Sequence, residues 1–270
     1  MRRIHPSTDN SHAELTEEEV LAAYLPEPRD LVRANMVTTV DGASTLRGLS
    51  RGISTEADKQ LFQVMRACAD AVLVGAGTVA QERYRARAAD PDVAAARKAR
   101  GLHEQLTIAI WTPRLSLSAD SPIFTESATK PLVLTSPYAD PTTLAALDGR
   151  AEVITVEGSG PRPVIEALRE RGYRSILSEG GPHALAGLLA ADVVDELCLT
   201  VSPLTVGPGP DRIVAGAPAM LPPTPGTPAA DGAAPPPTGW DLAAAYLEES
   251  SLFLRYRRTR SRDAGQTPPS

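Results

Sequence analysis

From residue 31 onward, short apolar runs alternate with stretches of helical pattern, and that alternation constrains the fold more than any other feature. The runs are LVRANMVTTV (31–40), AVLVG (71–75), TIAIWT (107–112), PLVLTS (131–136), EVITV (152–156), SILSE (175–179) and ELCLTVSP (196–203). Most are rich in β-branched residues and nearly continuous in apolarity, as strands buried on both faces are. Helices are predicted at about 55–68, 90–100, 142–147, 161–171 and 182–190. The pattern is that of an α/β domain: a mainly parallel central sheet with helices on both faces.

The best-defined helix is STEADKQLFQVMRACAD. Thr55, with Asp58 three residues on, makes a start like a capping box. Ala57, Leu61, Val64, Met65 and Cys68 then fall on one face, with Arg66 just off the stripe, where a solvated arginine is the commoner fate. After the last strand, residues 221–239 lose all apolar period to proline, glycine and alanine and read as a flexible insertion. WDLAAAYLEESSLFLRYRR then reads as two short strands around Glu248–Ser251, a closing antiparallel hairpin. A single domain is expected over 13–258, with residues 1–12 and 259–270 disordered.

Composition excludes several functions. A net charge of −6 argues against a nucleic-acid binder, which normally presents a basic field. No apolar run reaches the roughly 18 residues of a membrane span, and the two arginines near the start have no apolar stretch behind them to make a signal peptide. Cys68 and Cys198 lie singly in apolar patterns and read as buried thiols, which points to a reducing compartment, the cytoplasm. The four histidines stand at no metal-ligand spacing from them, so no metal site is expected. Neither a P-loop nor G-x-S-x-G is present.

What remains is the chemistry of strand ends. In ILSEGGPHALAGLL (176–189), a strand runs into Glu179, then Gly180 and Gly181, then Pro182 at the first turn of a helix. Bare glycines at the positive end of a helix suit an anionic ligand such as a phosphate; a plain strand–turn–helix connection reads equally well from this stretch alone. AVLVGAGTVAQERY (71–84) satisfies G-x-G-x-x-A through Gly75, Gly77 and Ala80, a weak match to the dinucleotide fingerprint. No acidic residue closes the next strand, which is followed by Arg114; an arginine there suits a 2′-phosphate, so NADP is favoured over NAD, although a plain surface charge fits too. Asp41, in the Asp-Gly turn after the first strand, is a candidate ligand group or only a turn former. Hydroxyls at Thr112 and Thr135 complete a set of polar strand ends on the edge where parallel sheets bind ligands.

TTVDG, LSRGIS, MRACADAVLVGAGTV and ILSEGGPHALAGLLAADVVDELCLTVSPLTVG, in this order and spacing, resemble the reductase half of bacterial riboflavin-biosynthesis enzymes. The resemblance covers roughly residues 30–258 and implies a dihydrofolate-reductase-like fold, NADPH as cofactor and a dimeric assembly. No deaminase half accompanies it, so the chain resembles a stand-alone or partial member. Ser50 and Arg66 match substrate-side positions, for the sugar phosphate, and Glu179 a carboxylate beside the substrate. Asn35 and Asp41 fall on the same side. Thr78 and Glu82 match cofactor-side positions, together with Val37, Gly52, Ser54, Gly75, Gly77 and Val79. The resemblance places the cofactor's cradle at Gly180, Gly181, Pro182, His183, Ala184, Leu185, Ala186 and Gly187, with Thr112 and Thr135 nearby. The chain departs from the family at Asn35, where a lysine is usual, at Gly52, often a bulky aromatic, and at ERYRAR, usually D-D-P…L…R. These departures fall mainly on the substrate side.

The expected activity is reduction of a ribosylaminopyrimidine to its ribitylamino product by NADPH, with Glu179 or Glu82 assisting protonation. A reductase of a pterin- or folate-like substrate and a non-catalytic NADP-binding module are the alternatives. A homodimer is expected, motivated by apolar strands near the chain end that would otherwise form an open sheet edge.

Overall fold

Alternation within the apolar runs explains the layers. In β3 (Ala71–Gly75), Val72 and Val74 enter the core on one side of the sheet and Leu73 the core on the other. In β4 (Thr107–Trp111), Ile108 and Ile110 go one way and Ala109 the other. Strand side chains point to opposite faces in turn, so runs without polar positions need cover on both. The computed structural model describes residues 1–6, 14–26, 29–158, 160–216 and 239–259 and supplies that cover. Helix α2 (Glu56–Ala67) lies on one face, where Leu61 and Met65 enter the core. Helices α7 (Pro161–Glu170) and α8 (Pro182–Ala190) lie on the other, contributing Val164, Ile165, Leu168, Leu185 and Leu188.

The remaining strands are β1 (Arg2–His5), β2 (Leu31–Thr39), β5 (Leu132–Thr135), β6 (Glu152–Thr155), β7 (Ser175–Ser178), β8 (Glu196–Ser202), β9 (Trp240–Glu248) and β10 (Ser251–Arg258). They form one sheet in the order β1-β9-β10-β8-β2-β7-β3-β4-β5-β6. From β8 to β6 every neighbouring pair is parallel. β10 pairs antiparallel with both β8 and β9, and β1 closes that side antiparallel to β9. The predicted strands and helices are thus all present, and the closing hairpin occupies the stretch expected for it, turning at Glu248–Ser251.

Two expectations change. Residues 1–12 were expected to be disordered, yet Arg2–His5 form an edge strand, with Arg2 opposite Leu247 and Arg3 opposite Tyr246. Partner strand β9 lies more than 200 positions away, so no local pattern reveals it. The open edge that motivated a dimer is also absent: β8, β9 and β10 are interior to the sheet. Three α-helical segments were not anticipated: α1 (Glu17–Tyr24), α3 (Ala76–Gln81) and the short α5 (Pro122–Thr125); α4 (Pro91–Ala99) and α6 (Pro141–Ala146) lie where predicted. Of these, α1 carries a readable signal, since Thr16 and Glu19 form a reciprocal capping box. At α2, by contrast, only half a box forms: Thr55 accepts from the Asp58 backbone, while the Asp58 carboxylate takes the Ser54 hydroxyl instead.

The expected insertion at 221–239 and tail at 259–270 lie outside the described residues, apart from Gly239 and Thr259. Cys68 and Cys198 are free and buried, and burial pushes the Cys198 thiol up to about 12. Among the described residues no helix is long and apolar enough to cross a membrane.

Candidate functional site

Strands β2, β7 and β3 lie side by side, and on either side of them the chain runs outward in opposite directions. Ligands bind at such a divide, outside the carboxyl ends of the strands. A cleft of about 480 Å³ opens there. Its walls come from β2 (Asn35, Val37), the loop at 44–54, the exposed side of α2, the segment after β3, and the β7–α8 turn.

The charged centre of the cleft is a pair that the sequence held far apart. Arg66 donates to Glu179 twice, Nε to Oε1 at 2.6 Å and Nη2 to Oε2 at 2.7 Å. Tyr84 donates its phenol to Glu179 Oε2 at 2.6 Å. The Glu179 side chain is 2% exposed, that of Arg66 23%. Burial alone would lower the Arg66 pKa, but the adjacent carboxylate outweighs it and raises it. Burial first, then Glu179, pushes the Tyr84 phenol well above its usual value. Arg66 also lies against the Phe62 ring, its Cζ 4.3 Å from the centroid. The solvated arginine expected just off the helix stripe is therefore a held group facing the cleft.

A second carboxylate holds the facing loop. Glu82 accepts from the Ser50 amide at 2.8 Å and from its hydroxyl at 2.9 Å. Both carboxylates expected to assist protonation are hydrogen-bond acceptors here. Asn35 lines the same cleft, and its buried Oδ1 has no hydrogen-bond partner among the described residues. Thr78, Ser54, Gly181 and Pro182 complete the expected residues that reach it.

The glycine turn behaves as a joint between two strand–helix connections. Gly75 N–H donates to Gly180 O at 3.0 Å, and Gly181 N–H to Thr78 Oγ1 at 3.0 Å. Gly180 has a left-handed φ of 71°, and a Cβ there would lie 2.7 Å from Met36 Sδ. A Cβ on Gly181 would lie 2.5 Å from Thr78 Oγ1. The joint therefore brings the starts of α3 and α8 together, linked through the Thr78 hydroxyl with no room for a Cβ on either glycine of the turn.

Other candidates lie outside the cleft lining. Asp41 takes the Thr39 hydroxyl and the amides of Val206 and Gly207, which hold its pKa below the usual range; it ties two loops together. Thr112 and Thr135 are buried, one hydroxyl accepting from Ser116 N, the other donating to Thr112 O. These hydroxyls shape turns, because a strand end surrounded by chain satisfies its own backbone first. Val79 and Leu185 are core side chains. Gly187 seats α8 against Trp111, Gly52 packs on Leu46, and Gly77 has open space. His183 is exposed, and Ala184 and Ala186 are half-buried on α8 beyond its first residues. Tyr84, Phe62 and Arg51 line the cleft and escaped sequence reasoning. The only signal for Tyr84 was the departure at ERYRAR. Among the described residues no group of three or more His, Cys, Asp or Glu could hold a metal ion.

The profile of the RibD C-terminal domain family matches residues 30–221. The 2,5-diamino-6-ribosylamino-4(3H)-pyrimidinone 5′-phosphate reductase of Archaeoglobus fulgidus is 25% identical over 182 residues, 66% of this chain and 83% of that one. The riboflavin biosynthesis protein RibD of Aquifex aeolicus is 23% identical over 187 residues, 69% of this chain. This chain spans half of that relative's length (50%). A pyrimidine reductase-like protein from Corynebacterium diphtheriae superposes with a TM-score of 0.70 at 24% identity, covering 91% of this chain and all of that one (100%). The shared fold is an α/β arrangement of a mostly parallel sheet with closing antiparallel strands. With the matched profile extending over most of its length, the chain belongs to the RibD C-terminal domain family.

Proposed function

We propose that the chain is an NADPH-dependent reductase that converts a ribosylaminopyrimidine 5′-phosphate to its ribitylamino product. The observation that carries this reading is the cleft itself, lined by the Arg66–Glu179–Tyr84 group and by the glycine joint that follows Glu179. The Archaeoglobus fulgidus relative bears the name of this reaction. The joint suits a dinucleotide: Gly181 and Pro182 bring the positive end of α8 to the cleft lining, where a phosphate is favoured, and Thr78 lies beside them. Gly77, Thr78 and Gly181 would hold it there. When bound, NADPH supplies the hydride for the sugar carbon next to the amine.

The chain's own residues orient the partner molecule. Arg66 faces the substrate, with Ser50 held by Glu82 across from it. Asn35 offers its unpaired carbonyl oxygen to a donor on the pyrimidine. In this reading Glu179 and Glu82 hold donors in place, a role that acceptors can fill. The assay is NADPH oxidation with a ribosylaminopyrimidine phosphate, beside dihydrofolate. Turnover with the pyrimidine is expected; cofactor binding without any turnover would favour a non-catalytic module. NADPH is expected to bind at least about tenfold more tightly than NADH, because exposed Arg114 follows β4 and no carboxylate replaces it. Equal affinities in titration would remove Arg114 from the site.

The reading includes a cytoplasmic homodimer. Leu252 and Leu254 on β10 face the same way as Val201 and Leu199, their partners on β8; Leu242 on β9 is paired with Tyr256. Leu242 and Leu252 are 39% and 36% exposed. A second copy laid on this apolar face would bury it. Light scattering at micromolar concentration should give twice 28.5 kDa; a mass of 28.5 kDa at every concentration would rule the dimer out.

A further inference from the structure

The Tyr84 hydrogen bond ends on a carboxylate that is already paired. Its phenol donates to Glu179 Oε2, the same oxygen that receives Arg66 Nη2. Among the described residues Arg66 Nη1 takes no hydrogen-bond partner, and Arg66 shares the cleft lining with Ser50, Ser54 and Arg51. The backbone explains how Tyr84 arrives there. Arg83 adopts a left-handed φ of 53°, ending the turn after α3, and Tyr84 N–H bonds back to Val79 O at 3.1 Å. Glu82 and Tyr84 are thereby both delivered into the cleft, one to Ser50 and the other to Glu179.

A carboxylate held only by a guanidinium can turn about its terminal bond and carry that guanidinium with it. A third donor from a different direction removes that freedom. We propose that Tyr84 is a positioning residue: through Glu179 it fixes the free edge of Arg66 as the seat of the substrate's phosphate monoester. The proposal deepens the reductase reading and rests on it for the substrate. The geometry of the clamp is independent of turnover.

The test is Tyr84→Phe in the full chain, which keeps the ring and removes one hydrogen bond. With a ribosylaminopyrimidine phosphate, KM should rise on the order of tenfold while kcat stays within about twofold. Ribose 5-phosphate, titrated by calorimetry, should bind on the order of tenfold more weakly than to the wild type. In an Arg66→Ala background the same change should add nothing, since the clamp then has nothing to hold. Glu179→Gln serves as the second variant, with the same expected loss for ribose 5-phosphate. Unchanged ribose 5-phosphate affinity in Y84F, an equal loss on the Arg66→Ala background, or no binding by the wild type would each overturn the proposal. So would a fall in kcat at constant KM, which would put Tyr84 at the reacting atoms. If the wild type fails to turn over yet ribose 5-phosphate binding depends on Tyr84 as stated, the reductase reading falls and the clamp stands.

Discussion

Glu196→Ala is expected to destabilise the fold by about 3–5 kcal/mol, the range for removing one partner of a buried ion pair. Glu196 is 1% exposed and receives Arg33 Nε at 2.5 Å and Arg255 Nε at 2.6 Å. Those arginines reach on to the end of α1, Arg33 to Tyr24 O at 2.8 Å and Arg255 to Ala23 O. The last carbonyls of a helix lack partners within it, so the two cations dock α1 onto the sheet. Without Glu196 both would stay buried and uncompensated, and Arg33 Nη2 already lacks a partner among the described residues. Urea unfolding measures this as a lower midpoint at constant slope. A loss below about 1 kcal/mol would mean that water reaches the pair.

The same group sets an acid limit. Burial by itself would raise the Glu196 pKa, but Arg33 and Arg255 outweigh it and hold the carboxyl below its ordinary 4.5. A carboxyl lowered on folding contributes stability that is fully present above its unfolded pKa and is lost as pH falls through the folded one. Stability should therefore begin to fall below about pH 4.5, and Glu196→Gln should show a shallower decline over that window.

The second large effect is expected at the glycine joint. Gly181→Val should weaken NADPH binding by on the order of a hundredfold, about 2.7 kcal/mol. A Cβ at this position meets Thr78 Oγ1 at 2.5 Å, so Thr78 must rotate and release the Gly181 amide. The added methyl groups then stand where backbone must approach the ligand. Cofactor fluorescence gives the affinity and circular dichroism the melting point. Thr78→Val, which removes the acceptor with little change in bulk, should weaken binding less. A folded Gly181→Val protein with wild-type NADPH affinity would take the joint out of the cofactor site.

The Arg66–Glu179 pair shows where legibility in the sequence stopped. Arg66 and Glu179 stand 113 positions apart. Their types and strand-end or helix-end positions were readable, and their resemblance to a known family pointed to one site. Their bidentate contact follows from β7 inserting between β2 and β3, a pairing of distant segments. Thr112 and Thr135 show the opposite case: strand ends of the right type whose hydroxyls the neighbouring loop consumes.

Local pattern by itself determined most of the strands and helices, though not β1, α1, α3 or α5, because period and capping act over a few positions. It also determined that Gly180 and Gly181 separate a strand from a helix. Tertiary structure decided the rest: β1 on the edge, Asp41 as a tie between loops, Tyr84 as the third donor to Glu179. Those outcomes depend on which distant segment satisfies each backbone and polar group first, and burial of the whole sheet makes that choice.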